Sequence, residues 1–127
     1  MRKRIAASSY TRPGDPMKID CGYRANLAEG VGVIRLFQAV SLEGDIEAAK
    51  GLAYSAPQLR EGVERVESAR LELTAVVEAL RSVEGAEDEA TERYRFGVEA
   101  MEREAIRVVT VSDLARVAET ARLELRV

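Results

Sequence analysis

The stretch that decides the fold is QLREGVERVESARLELTAVVEALRSVE, residues 58–84. Its apolar residues recur every three or four positions, the spacing that lines one side of an α-helix. They are Leu59, Val63, Val66, Ala69, Leu73, Val76, Val77, Leu80 and Val83. Charged residues fill most of the positions between them, and the stretch contains no proline and one glycine. The spacing therefore predicts one long helix of roughly 40 Å.

A second helix is predicted over about 87–108. Tyr94, Val98, Met101, Ala105 and Val108 follow the same three-and-four spacing. Residues 86–88 form the predicted connection, and two long helices joined by a short loop fold back as an antiparallel hairpin. The prediction is an all-α fold of four to five helices organised on this hairpin (about 58–84 and 87–108), a helical bundle with coiled-coil packing.

The segments before the hairpin complete this prediction. Residues 1–22 contain all but one of the chain's prolines and read as an extended basic arm. Residues 23–40 are predicted as a first helix, and Asp45 caps a short helix that ends near residue 54. The domain organisation is therefore an arm, 1–22, followed by a single helical domain, 23–127.

Two segments near the carboxyl terminus also fit strands. IRVVTV, residues 106–111, is rich in β-branched residues, and residues 123–127 alternate between apolar and polar side chains. The alternative is therefore an α+β fold with short C-terminal strands.

The composition excludes several classes of protein. The chain has 127 residues, a net charge of −3, one cysteine and no histidine. No window approaches eighteen uncharged apolar residues, so a membrane span is not expected. A single cysteine gives no internal disulfide and fits a reducing compartment, for which we expect the cytoplasm.

Catalytic chemistry has few candidate groups in this sequence. Histidine is the most frequent general base and metal ligand, and it is absent. Gly30 and Gly32 lack the third glycine of a dinucleotide-binding motif. The acidic residues at 84–92 lack the ligand spacing of a calcium loop. We therefore predict no enzymatic activity and no catalytic, cofactor-binding or metal-binding residue.

Eight residues are predicted to contact a partner. Residues 1–24 carry a net charge of +4 and the remainder −7, so a basic tip adjoins an acidic body. On a helical wheel Arg70 falls inside the apolar stripe of the long helix. Leu71, Phe96 and Leu123 are large apolar side chains that fall outside the stripes of their helices. The predicted contacts are Arg2, Lys3, Arg4, Arg12, Arg70, Leu71, Phe96 and Leu123.

Residues 109–119, VTVSDLARVAE, resemble the first helix of a helix-turn-helix in the repressor family. The resemblance implies a capped amphipathic helix here. The residues that follow, TARLELRV, contain no recognition helix, so no residue that reads bases is implied.

The leading functional prediction is a non-enzymatic helical subunit or adaptor of a larger protein assembly, for example a phage particle, a secretion machine or a filament. Protein partners, including a second copy of the chain, are expected, and nucleic acid is not. The alternative is a small nucleic-acid-binding regulator that uses the basic arm and the C-terminal helix. Salt-sensitive binding distinguishes the alternative from the leading prediction.

Overall fold

In the described part of the chain, a five-strand mixed sheet forms the centre of the fold, and three helices pack on its two faces. The computed structural model describes residues 1–28, 30–80 and 89–125. The strands are β1 (Arg2–Ala6), β2 (Lys18–Asn26), β3 (Gly32–Val40), β4 (Arg70–Val77) and β5 (Arg107–Thr110). The helices are α1 (Ile46–Glu67), α2 (Glu89–Arg103) and α3 (Leu114–Leu125).

The strands lie in the order β1-β2-β3-β4-β5, so β1 and β5 are the edges. The pairs β1–β2 and β2–β3 are antiparallel, whereas β3–β4 and β4–β5 are parallel. Parallel neighbours need a long crossover connection, and the segments that contain α1 and α2 provide the two crossovers. Both helices pack on one face of the sheet, and α3 crosses the other.

The main core lies between the sheet and helices α1 and α2. Leu36, Leu52, Leu59, Leu73 and Met101 are almost completely buried there. The opposite face, which we call the α3 face, has a smaller apolar cluster. Its members are Tyr23, Ala25, Phe37 and Ala121, and the rings of Tyr23 and Phe37 stack with centroids 6.0 Å apart.

The predicted all-α fold is wrong, and so are the helical bundle and the coiled coil. The stretch 58–84 contains the end of α1 and all of β4 rather than one helix. Ser68 adopts a left-handed conformation with φ of 50°, its backbone N–H donates to the carbonyl of Glu64, and α1 ends there. The next residues alternate between the two sheet faces, with Leu71, Leu73, Ala75 and Val77 buried.

The helix predicted over 23–40 is also wrong, because this segment forms the end of β2 and all of β3. Gly30, which a helix interior disfavours, lies in the connection with φ of 77°. Its N–H donates to the carbonyl of Leu27 at 2.9 Å, and the N–H of Leu27 donates to the carbonyl of Val31 at 2.9 Å. These bonds close a tight antiparallel connection.

The predicted arm, 1–22, is part of the sheet rather than a separate extension. It contains β1, a 3-10 turn at Ala7–Ser9 and the start of β2. Tyr10 is buried, and a Cβ at Gly62 would overlap its carbonyl, so the glycine allows α1 to pack closely on this segment.

The second helix of the predicted hairpin is shorter than expected. α2 ends at Arg103, Ala105 has φ of 58°, and β5 occupies part of 106–111, where the sequence had suggested a strand. The strand proposed for 123–127 is wrong for residues 123–125, which belong to α3. The predicted connection at 86–88 lies outside the described residues.

Leu71 and Phe96 give a direct test of the corrected fold, because the helical wheel had placed both side chains outside the core. Leu71 is 5% exposed on β4, whereas Phe96 is 54% exposed on α2. Leu71→Ala should lower the free energy of unfolding by about 2–5 kcal/mol, the usual cost of a buried leucine. Phe96→Ala, the matched control, should change it by less than about 1 kcal/mol. Urea unfolding followed by circular dichroism measures both. Equal effects would contradict the burial of Leu71.

Candidate functional site

Positive charge is concentrated in the sheet. The five strands carry eight basic and two acidic side chains, a net charge of +6. Helices α1 and α2 carry six basic and eight acidic side chains, a net charge of −2. The basic strand residues are Arg2, Lys3, Arg4, Lys18, Arg24, Arg35, Arg70 and Arg107. A chain with a net charge of −3 therefore has a distinctly basic sheet.

A row of polar side chains on three neighbouring strands holds α3 against the sheet. Tyr23 on β2 pairs with Arg35 on β3, and Arg35 pairs with Glu72 on β4. Directly paired residues project on the same face, so all three side chains lie on the α3 face. Glu124 on α3 completes the row by binding both Arg35 and Tyr23.

The contacts of Arg35 are charge-assisted and largely buried. Its Nε lies 2.9 Å from Oε1 of Glu124, its Nη2 donates to Oε2 at 3.1 Å, and its Nη1 binds Glu72. The side chains of Arg35 and Glu124 are 19% and 20% exposed. The interaction of a guanidinium that binds a carboxylate through two nitrogens is strong and directional.

The hydroxyl of Tyr23 donates to Oε1 of Glu124 at 2.9 Å. Burial raises the pKa of Tyr23, and the hydrogen bond and negative charge of Glu124 raise it further, to about 12, although Arg35 acts in the opposite direction. The neutral phenol is therefore the form that this site stabilises.

Beside this row, α3 and the strands enclose a small polar cleft of about 70 Å³. We call it the arginine cleft. It is lined by Arg35, Glu72, Thr74, Arg107, Arg116, Val117 and Thr120. Thr74 and Arg107 are paired in the β4–β5 register, and Arg116 and Thr120 are one turn apart on α3. Three guanidinium groups and one carboxylate therefore line one small space.

A larger groove of about 410 Å³ lies along the amino-terminal half of α3. We call it the apolar groove, because nearly all of its surface is hydrocarbon or sulfur. It is lined by Met1, Asp20, Cys21, Phe37, Gln38, Ala39, Val76, Leu114, Val117, Ala118 and Ala121.

The polar side chains that line the apolar groove accept hydrogen bonds from backbone N–H groups of the sheet. A carboxylate oxygen of Asp20 accepts from the N–H of Ala39 at 2.7 Å, and Oε1 of Gln38 accepts from the N–H of Asp20 at 2.8 Å. Burial and then the charge of Asp20 raise the pKa of the half-buried Cys21 thiol, although Lys3 and the terminal amine oppose the shift. The uncharged thiol is therefore favoured.

The β1 edge supplies the remaining positive charge. No ion pair among the described residues joins Arg2, Lys3, Arg4, Arg12 or Lys18 to a carboxylate. The nearby carboxylate of Asp15 accepts from the hydroxyl of Thr11 and from the N–H of Met17. These two hydrogen bonds lower the pKa of Asp15, the bond from Thr11 having the larger effect.

The structure separates the residues that the sequence had grouped as partner contacts. Arg2, Lys3 and Arg4 lie on the β1 edge, and Arg12 lies in the turn that follows. Arg70 is exposed at the start of β4 and pairs with Glu72 at 3.2 Å rather than with a buried acid.

The three apolar side chains of that prediction do not share a surface. Leu71 is buried in the main core, so it cannot contact a partner while the sheet is intact. Phe96 and Leu123 are 54% and 55% exposed, but α2 and α3 lie on opposite faces of the sheet. Sequence reasoning missed Arg35, Thr74, Arg107, Arg116 and Glu124, which meet only through strand register and the position of α3.

Other site types find little support among the described residues. They contain no group of three or more histidine, cysteine, aspartate or glutamate side chains placed to hold a metal ion. None of the helices in the described ranges combines the length and the hydropathy needed to cross a bilayer.

The chain was compared with protein-family models, with curated proteins and with solved structures, and none of the three comparisons found a match. What this protein binds is therefore inferred from its own residues.

The link between Tyr23 and Glu124 predicts a pH-dependent stability. Because the pKa of Tyr23 is raised from 10.0 to about 12, the folded state favours the neutral phenol. Its contribution to stability is complete below about pH 10 and is lost as the pH rises through about 12. Glu124→Gln should lower the pKa of Tyr23 toward 10, because it removes a negative charge and weakens the hydrogen bond.

Carbon-13 NMR of the tyrosine Cζ atoms measures the pKa of Tyr23 directly. Glu119→Gln, a charge-matched change on the same helix, is the control and should leave that pKa unchanged. If Glu124→Gln leaves it near 12, the hydrogen bond does not contribute to the shift.

Proposed function

We propose that the protein is a small, non-enzymatic nucleic-acid-binding protein that contacts phosphate groups with the basic residues of the sheet and of α3. The observation that carries the proposal is the net charge of +6 on the strands of an otherwise acidic chain. Clustered lysine and arginine side chains are the general means by which proteins bind the nucleic-acid backbone.

The α3 face has basic side chains toward both edges of the sheet. Lys3 is paired with Cys21, which lines the apolar groove, so Lys3 projects on this face. Lys18 precedes Ile19, whose side chain is in the main core, so Lys18 projects on the α3 face as well. At the other edge Arg107 and Arg116 line the arginine cleft.

The distance between these two groups suits a nucleic-acid backbone. Four strand spacings separate β1 from β5, which is about 19 Å. This corresponds to about five or six phosphates along one strand of B-form DNA, measured along its axis. The contacts are to phosphate rather than to base edges, so we expect binding with little sequence preference.

The acidic side chains on this face are engaged in hydrogen bonds and ion pairs, which supports a binding role rather than an enzymatic one. Asp20 accepts from a backbone N–H, Glu72 binds Arg35 and Arg70, and Glu124 binds Arg35 and Tyr23. Each carboxylate is thus engaged in holding the structure together. The chain also has no histidine to act as a general base.

Fluorescence anisotropy with a labelled oligonucleotide of arbitrary sequence tests the proposal. If Lys3, Lys18, Arg107 and Arg116 each contact one phosphate of a duplex, the logarithm of affinity should fall with the logarithm of salt with a slope of about −3.6. Lys3→Gln combined with Lys18→Gln should lower the steepness of this slope by about two and weaken binding.

Lys50→Gln combined with Arg95→Gln is the charge-matched control, because both residues are exposed on α1 and α2. The control should bind almost as well as the wild type. Equal losses in the two double variants would show that only the total charge matters, and absence of salt-dependent binding by the wild type would refute the proposal.

A second candidate function, as a subunit of a protein assembly, is favoured by the apolar side chains that α3 exposes. Leu114, Leu123 and Leu125 are 45%, 55% and 47% exposed, and Ala121 is the only buried residue of α3. A second copy of the chain is the simplest partner for such a surface. In that case light scattering without nucleic acid would give a mass above the 14.0 kDa of one chain.

A further inference from the structure

The charges of the arginine cleft do not balance within the structure. Arg35 binds Glu72 and Glu124, and Arg70 also binds Glu72, so two guanidinium groups offset two carboxylates. Arg107 and Arg116 form no ion pair with any described residue. Two uncompensated positive charges therefore line the same small cleft.

Thr74 adds a hydroxyl group to these charges. The residue as a whole is 6% exposed. It lines the cleft, and its hydroxyl has no hydrogen-bond partner among the described residues. No buried side-chain oxygen or nitrogen in the described part of the chain lacks a hydrogen-bond partner, so this hydroxyl is open to the cleft and can donate a hydrogen bond to a ligand there.

We propose that the arginine cleft binds one phosphoryl group, with Arg107 and Arg116 as cationic donors and Thr74 as a neutral donor. The volume of about 70 Å³ is several times the roughly 10–15 Å³ that one water molecule needs, so a tetrahedral oxyanion has room. Guanidinium groups bind phosphate oxygens through two parallel N–H donors, and a hydroxyl donor suits a third oxygen.

The neighbouring carboxylate of Glu72 does not compete for this role. It binds Arg35, and it lies 3.2 Å from Nη2 of Arg70, so its charge is offset by two guanidinium groups. Glu124 fixes the other side of Arg35, which leaves Arg107 and Arg116 as the groups available to a ligand.

The phosphoryl group has two possible sources, a phosphodiester of a nucleic acid or a small phosphorylated molecule. For the first source the inference rests on the proposed function. For the second it is independent of that function. The chemistry recognised by the cleft is the same in both cases.

Two titrations of the full chain separate the sources. In the first, inorganic phosphate is added at constant ionic strength, with sodium chloride as the reference salt, and the amide resonances of Thr74, Arg107 and Arg116 are followed by NMR. In the second, a labelled oligonucleotide is followed by fluorescence anisotropy. Both are repeated with Arg107→Gln, Arg116→Gln and Thr74→Val.

Each arginine variant should weaken binding about tenfold, and Thr74→Val should weaken it about threefold. Thr74→Val should fold about as stably as the wild type, because it keeps the shape of the side chain and removes a hydroxyl that forms no hydrogen bond with a described residue. Arg122→Gln is the matched control: Arg122 is on the same helix but pairs with Glu119 at 2.9 Å and does not line the cleft. It should bind phosphate like the wild type.

The outcomes distinguish this inference from the proposed function. Phosphate binding that the three variants reduce, without oligonucleotide binding, supports the cleft and overturns the nucleic-acid proposal. Oligonucleotide binding that the three variants leave unchanged overturns the cleft, and it limits the phosphate contacts of the nucleic-acid proposal to Lys3 and Lys18. If the variants weaken the binding of phosphate and of the oligonucleotide, the cleft and the nucleic-acid proposal are both supported. If the wild type binds neither phosphate nor the oligonucleotide, both proposals are overturned.

Discussion

The contact between Arg35 and Glu124 is the interaction on which the α3 face depends. Ala121 is the only residue of α3 that is buried, so apolar burial contributes little to holding this helix. Arg35 binds Glu124 through two nitrogens while it also binds Glu72. A largely buried, bidentate pair is stronger than an exposed one, which explains how a helix with so little buried surface keeps a defined position. That position in turn shapes the apolar groove and the arginine cleft.

The apolar residues of 58–84 are evident from the sequence, but their spacing was assigned to one helix rather than to a helix followed by a strand. Leu73, Val76, Val77 and Leu80 fit helical spacing, yet the same stretch also has Leu71, Leu73, Ala75 and Val77 at strand spacing. Ser68 carries no sequence signal strong enough to mark the end of α1, because its role depends on a left-handed conformation. Gly30 was the clearer signal, since a glycine that disfavours a helix suits the turn that it occupies.

The site was less predictable than the fold because its members are distant in sequence. The basic residues Arg2, Lys3 and Arg4 were evident, since they are adjacent. Arg35 is the only charged residue of β3, and in a strand this indicates a functional or structural contact. Its partner Glu124 is 89 residues away, so only the position of α3 across the sheet shows the pair. The pairing of Thr74 with Arg107 likewise depends on the β4–β5 register.

The affinity of Glu124→Gln for a labelled oligonucleotide tests most directly whether the position of α3 controls binding. This variant removes a negative charge, so an effect of net charge alone would tighten binding. We expect weaker binding instead, because α3 loses its ion pair with Arg35 and Arg116 is then held less firmly beside Arg107. Glu119→Gln, on the same helix and with the same change of charge, should bind as tightly as the wild type or slightly more tightly. Tighter binding by Glu124→Gln than by Glu119→Gln would show that the contact between α3 and Arg35 does not support binding.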